Sequence, residues 1–256
     1  MGALRQSLGL FQGPKSYEPL APEHPGEPGE IESASANITV VKLTQLECQI
    51  NGKTLVAIDR EVTVRPGEMV AIVGQSGAGK SSLLKVFAGL ICPTQFRGTL
   101  SWQAFASHTS YISQQAFLFT GVVAENLLYG VEDKDVSLQE AYELSVALGL
   151  DSLIKNAAQL KTMRIDALKG SVSGGELQRL TIVRGLLRNK KILLFDEASS
   201  ALDLRNEERL LQLLQKRCQS LGLMCFYVTH RLQPIHPFQQ VWHIDRHRLA
   251  SVEICP

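Results

Sequence analysis

The chain has 256 residues, 45% hydrophobic and 20% charged, with 26 Lys plus Arg against 25 Asp plus Glu and a formal net charge of +1. That length suits one large globular domain, or two lobes sharing a core, because single cores stop growing near ~250–300 residues, and the apolar fraction excludes disorder of the whole. A near-neutral chain has no general field for a polyphosphate backbone, so no nucleic-acid partner is expected and any anion must be held by a local device. Cys48, Cys92, Cys218, Cys225 and Cys255 form no Cys-x-x-Cys pair and have no histidine at ligand spacing. They read as reduced, buried thiols of a cytosolic protein, not as a disulfide frame or zinc site. No apolar run approaches the ~20 residues that span a bilayer, and the N-terminus carries no signal-peptide core. The residue that myristoylation requires as Ser or Thr is Gln6.

In chain order, residues 1–37 come first, with Pro14, Pro19, Pro22, Pro25 and Pro28 among more acids than bases. They read as an extended linker. Leu4, Leu8 and Phe11 recur within it at helical spacing, as in a frayed terminus or the tail of a preceding helix. Ile38–Val64, rich in β-branched residues and carrying Asn51-Gly52, predicts an antiparallel hairpin sheet. Met69–Val73, Ile192–Phe195 and Met224–Val228 are unbroken apolar runs, the pattern of parallel strands buried on both faces. Functional residues are then expected just past their carboxyl ends. Ser137 followed by Glu140 predicts a capping box opening a helix that carries Leu144, Leu148 and Leu150.

The first run leads into Gly74-Gln75-Ser76-Gly77-Ala78-Gly79-Lys80-Ser81-Ser82, a full match to the phosphate-binding loop. Its glycines let successive backbone N–H groups curl round a phosphate, and the following helix adds its positive end. Lys80 would reach the β- and γ-phosphates, and Ser81 would ligate Mg²⁺. Asp196 and Glu197 close the second run. Alone they are also what an ordinary strand end looks like. Beside such a loop they become the metal-side carboxylate (Asp196) and a base next to the attacking water (Glu197). Ser173-Gly174-Gly175-Glu176 forms a second glycine device and a capping box for a helix through Leu177, Leu180 and Val183. In isolation it reads first as a plain helix start, and otherwise as a second phosphate site facing outward.

Taken together and in order, Gly74–Ser81, Gln114, Val172–Glu176, Asp196-Glu197, the Ser200–Asp203 loop and His230 resemble the Walker A loop, Q-loop, signature, Walker B, D-loop and H-loop of an ABC transporter nucleotide-binding domain. The resemblance covers about residues 38–248. It implies an α/β fold: a P-loop NTPase core with a mostly parallel sheet, an N-terminal antiparallel β subdomain and an inserted α-helical subdomain at about 115–180. Residues 1–37 would be the linker and 38–256 the ATPase domain. The resemblance also implies ATP and Mg²⁺ as cofactors and a head-to-tail dimer with a second ABC ATPase domain. By position, Gln114 would sense Mg²⁺ and the γ-phosphate, with Ser81, Gln114 and Asp196 on the metal. Ser173 and Gly175, with Gly174 and Glu176, would meet nucleotide bound by the partner. Asp203 would bridge the dimer, and His230 would orient Glu197, so that Lys80, Glu197 and His230 form the catalytic set.

Phe119-Thr120-Gly121 and Glu125-Asn126 resemble the exporter branch. The partners implied are the transmembrane domains of an exporter, outside this chain, and the location is the cytoplasmic face of a membrane. A soluble ABC ATPase and a binding-only regulatory domain are the alternatives. The short interval from Gln114 to Ser173 leaves no room for the long coiled coil of DNA-repair relatives, and Glu197 and His230 argue against a binding-only module. Three features depart from the family. The signature begins with Val172 and ends with Glu176, where Leu and Gln are commoner; Ile165–Ser171 ahead of it lacks the Gly-Glu-type stretch of exporters; and no Phe, Tyr or Trp stands between Glu18 and Val86 to stack on adenine. Cys48 lies near the expected stacking position, and Tyr17 is the nearest ring upstream, so weak discrimination among purine triphosphates is expected.

Overall fold

A computed structural model of the chain describes residues 40–132, 136–166, 172–229 and 237–255. The chain opens with β1 (Val41–Ile50), β2 (Lys53–Ile58), β3 (Val62–Val64), β4 (Met69–Val73), α1 (Lys80–Phe87), β5 (Gln95–Gly98), α2 (Trp102–Ser107) and β6 (Thr109–Ile112). Next come β7 (Gly121–Val122), α3 (Val123–Leu128), α4 (Leu138–Ala147), a 3-10 turn (Ala157–Lys161), β8 (Arg164–Ile165) and α5 (Gly174–Leu187). The last elements are β9 (Ile192–Asp196), α6 (Leu204–Leu221), β10 (Met224–Val228), β11 (Gln240–Asp245) and β12 (Arg248–Ile254).

The three apolar runs are β4, β9 and β10, and every residue in them is buried. Lacking polar alternation, such strands are stable only between two apolar layers. β10 lies parallel between β4 and β9, with β6 parallel on the far side of β9. Side chains leave alternately to two cores. Met69, Ala71, Val73, Leu193, Phe195, Cys225 and Tyr227 face one, which receives α3–α6. Val70, Ile72, Leu194, Phe226 and Val228 face the other, which receives α1 and α2.

The N-terminal strands are antiparallel as expected: β1 pairs with β2, β3 and β5. The β1–β2 turn is Asn51-Gly52 with φ of 51° and 73°, the two-residue hairpin that matches strand twist. β2 also pairs with β12 at Ala57–Arg248, so the antiparallel part joins the parallel core in one sheet path.

α1 is anchored by rings. Phe87 lies 4.8 Å from Phe105 and 5.2 Å from Phe226, and Phe226 lies 5.5 Å from Trp242 (ring centroids). Edge-on and tilted pairs of this kind add to the burial of large apolar surface. The last turn of α1 is therefore anchored against α2 and β10, and β10 in turn against β11. α6 buries Leu210, Leu211, Leu214 and Cys218 along one stripe and ends at Gly222 in the left-handed conformation. α4 is shorter than expected: Leu148 is its C-cap and Gly149 turns left-handed at φ 75°, so Leu150 lies beyond the helix. Ser137 caps its start through the Glu140 N–H, but the Glu140 carboxylate lies 3.9 Å from Arg217 on α6. No helix among the described residues is long and apolar enough to cross a membrane.

Candidate active site

β4, β9 and β10 run parallel, so their carboxyl ends lie on one edge of the sheet, where the loop following β4 meets the end of β9. The loop Gly74–Gly79 joins β4 to α1, with Gly77 at φ 78° and Gly79 at φ 107°. Gly79 is sterically required, since a Cβ there would come 2.6 Å from the Leu55 carbonyl oxygen. The nearby β11–β12 turn clasps the loop: His247 N–H donates to Ala78 O at 3.0 Å, and His247 Nδ1 lies 3.0 Å from Leu55 O. At Gly77 a Cβ would meet no atom of this chain within 4 Å. Its glycine answers to the positive φ and leaves the loop open there. Gln75, Ser76 and Gly77 are exposed, whereas Lys80 is buried and its ammonium donates to Gly74 O and Gln75 O, each at 2.9 Å. The cation thus sits against the loop, as an anion cradle requires. Ser82 follows in the first turn of α1, half-buried.

Ser81 and Asp196 meet. The Ser81 hydroxyl donates to Asp196 Oδ1 at 2.7 Å, and the Tyr111 hydroxyl donates to Asp196 Oδ2 at 2.7 Å. Burial, followed by the bond to the carboxylate, pushes the Tyr111 phenol above its ordinary range. A hydroxyl and a carboxylate at contact distance are the hard oxygen donors that Mg²⁺ takes alongside phosphate. Glu197 follows directly at φ 51°, a left-handed conformation that is uncommon for a residue with a side chain. Its carbonyl accepts from Ser200 N at 3.1 Å, starting the turn toward Asp203.

Gln114 is exposed, just beyond the end of β6, the strand beside β9. Ser173 caps α5 reciprocally: Glu176 N–H donates to Ser173 Oγ at 3.3 Å, and Ser173 N–H donates to Glu176 Oε2 at 2.8 Å. The Ser173 N–H, and then the Ser173 hydroxyl donating to the same oxygen at 2.8 Å, hold the Glu176 carboxyl below its usual range. Ser173 and Gly174 are exposed, with Gly175 behind them, so this helix start faces outward. Asp203 caps α6, accepting from Asn206 N at 2.8 Å and Asn206 Nδ2 at 2.9 Å. His230 and Tyr17 lie outside the described residues.

Two expectations about cysteines are corrected. Cys92 is exposed, not buried. Cys48 offers no surface to a base: it is fully buried in the core with Val56 and Leu46, and its Sγ lies 3.8 Å from Cys92 O. Three residues that sequence reading passed over contribute to the site: Tyr111 on Asp196, His247 against the loop, and Gln178, whose Oε1 accepts from Ala201 N at 2.9 Å. For Tyr111 the available signal was a polar-tipped ring near the end of a strand, three residues ahead of Gln114.

A family model described as ABC transporter matches residues 59–200. The chain is 37% identical over 183 residues to mouse ATP-binding cassette sub-family B member 5, covering 68% of this chain and 14% of the relative. It is 31% identical over 201 residues to the ATP-dependent lipid A-core flippase of Alkalilimnicola ehrlichii, covering 75% of this chain and 34% of the relative. It thus spans between a seventh and about a third of the length of these curated relatives. Among solved structures, a bacterial Atm1-family ABC exporter with ATP bound superposes with a TM-score of 0.70 at 26% identity, over 84% of this chain and 38% of that one. With more than half of its length matched by the family model and the phosphate loop, Asp196 and the capped Ser173 helix each in place, the chain belongs to the ABC transporter family.

Proposed function

We propose that this chain binds ATP with Mg²⁺, hydrolyses it within a head-to-tail pair of such domains, and thereby drives the membrane domains of an exporter at the cytoplasmic face. Residues 38–256 act as the ATPase domain, with a helical subdomain at about 115–180, and residues 1–37 serve as the connecting linker. The observation that carries the reading is the Ser81–Asp196 bond at 2.7 Å, which joins the phosphate loop to the strand end where Glu197 follows. Gly74–Ser82 hold the phosphates. Ser81, Asp196 and Gln114 serve the metal, and Lys80 neutralises the transferred group. Glu197, oriented by His230, accepts the proton of the attacking water. The water oxygen bonds to the γ-phosphorus as the bond to the bridging oxygen breaks, and ADP leaves with that electron pair. The outward N-terminus of α5, with Ser173–Glu176, supplies the partner's site, and Asp203 lies at the pair's interface. The exporter role is supported by the relatives named above.

Glu197→Gln tests the reading. It leaves the loop, Lys80 and Asp196 intact, so ATP binding should persist while turnover falls by roughly 10²-fold or more. Normal hydrolysis by this variant, or no ATP binding by the wild type, would overturn the assignment.

A further inference from the structure

Tyr111 is not among the residues that the family motifs assign, yet it makes one of the two bonds to the Asp196 carboxylate. The geometry follows from the sheet. β6 pairs parallel with β9 in a register that sets Tyr111 opposite Leu194, so its ring leaves on the face shared by Leu194 and, two residues on, Asp196. That face also receives α1, whose first turn carries Ser81. Three elements thus deliver a phenol, a carboxylate and an alcohol to one point, where Tyr111 donates to Oδ2 and Ser81 to Oδ1, each at 2.7 Å.

We propose that Tyr111 is a positioning residue for the metal end of the site, holding the Asp196 carboxylate in the orientation in which its other oxygen engages Ser81. The inference rests on the ATP and Mg²⁺ reading above. A carboxylate turns about its last torsion over a broad, roughly two-fold profile. Two charge-assisted bonds on opposite oxygens remove that freedom. Because Ser81 donates its proton to Oδ1, the lone pairs of its oxygen stay available to a cation. An aliphatic residue at 111 would fill the strand equally well. A half-buried phenol hydroxyl is unfavourable without a partner, and here the partner is the metal-side carboxylate. Groups that orient metal ligands typically change metal affinity by 10–100-fold when removed.

The test is ATP binding by calorimetry on the 256-residue chain, in EDTA and across a series of MgCl₂ concentrations. Tyr111→Phe removes one oxygen and keeps the ring. Its ATP affinity in EDTA should stay within about twofold of wild type, while the MgCl₂ concentration giving half of the metal-dependent tightening should rise about 10-fold. In an Asp196→Asn background the same substitution should produce no further shift, because the carboxylate it orients is gone. A Tyr111→Phe midpoint within about twofold of wild type overturns the inference. So does an independent, additive shift in the Asp196→Asn background. If only Tyr111→Leu changes the midpoint, the ring merely packs and the inference also falls. A wild type that binds no ATP even in EDTA overturns the nucleotide reading and this inference with it. Wild-type binding that tightens with MgCl₂ while Tyr111→Phe is unshifted overturns this inference alone.

Discussion

Gln178 and Ala201 are joined by a hydrogen bond of 2.9 Å, the Gln178 side-chain oxygen accepting from the Ala201 backbone N–H. Gln178 is buried on α5, one turn after the Ser173 cap, and Ala201 lies two residues before the Asp203 cap of α6. One amide therefore ties the two segments proposed to face a partner subunit. Gln178→Leu should lower unfolding stability by about 1 kcal/mol and leave ATP affinity within about twofold of wild type, because the phosphate loop is untouched. Because a paired site needs two subunits, wild-type specific ATPase activity should rise with protein concentration, and in the variant that rise should weaken. Urea unfolding, nucleotide titration and a dilution series check these points. A variant that loses ATP affinity but keeps wild-type concentration dependence would contradict the arrangement.

The left-handed backbone at Glu197 predicts an inverted preference between two truncations. Alanine ordinarily stabilises relative to glycine because glycine loses more freedom on folding. At φ 51° the Cβ meets the neighbouring carbonyl, a penalty of about 1–2 kcal/mol. Both truncations lose whatever the carboxylate touches, so their comparison isolates the backbone. Glu197→Gly should be more stable than Glu197→Ala by up to about 1 kcal/mol in EDTA, and both should lack hydrolysis. Equal stabilities, or a more stable alanine variant, would mean that the strain is absent in solution.

Cys48 gives a prediction opposite to the one its sequence position suggests. Fully buried and paired with Val56 across β1–β2, it has no room for a ring. Cys48→Tyr should cost about 1–3 kcal/mol through overpacking without changing the ratio of ATP to GTP affinity. Tighter ATP binding by this variant would show that the side chain reaches the base.

The reason for that misreading is visible in β1. Its buried residues run Val41, Leu43, then Leu46, Cys48, so the inward parity changes partway along. The change coincides with a register irregularity between Leu43 and Gln45 in the pairing with β5. Distance upstream of the phosphate loop located Cys48 along the strand, whereas the face was set by the irregularity. By contrast β4, β9 and β10 were legible because burial on both faces leaves an unbroken apolar run, and the loop after β4 because its φ values demand glycine. Tyr111 was illegible for a different reason. Its partner is 85 residues away, and only the register of β6 on β9 brings the two together.

Glu176 stands where the family more often has glutamine, and its charge makes the stability of α5 depend on pH. Its carboxyl is held low first by the Ser173 backbone N–H, then by the Ser173 hydroxyl, with burial opposing and Arg179 helping. An acid whose folded pKa is depressed adds stability that is fully present above its unfolded value, near ~4.3. That stability is lost as pH falls through the lower folded value. Glu176→Gln keeps an acceptor for the Ser173 N–H but removes the charge at the positive helix end. At pH 7 the wild type should therefore exceed Glu176→Gln by about 0.3–1 kcal/mol. The gap should close as the solution is acidified below the ordinary carboxylate range, since both side chains are then neutral. Other titrating groups are common to both proteins and cancel in the difference. Urea unfolding of the pair at pH 7 and at several acidic values down to the limit of reversible folding measures it. A gap that stays constant, or that widens on acidification, would show that the carboxylate does not serve the Ser173 cap as the structure has it.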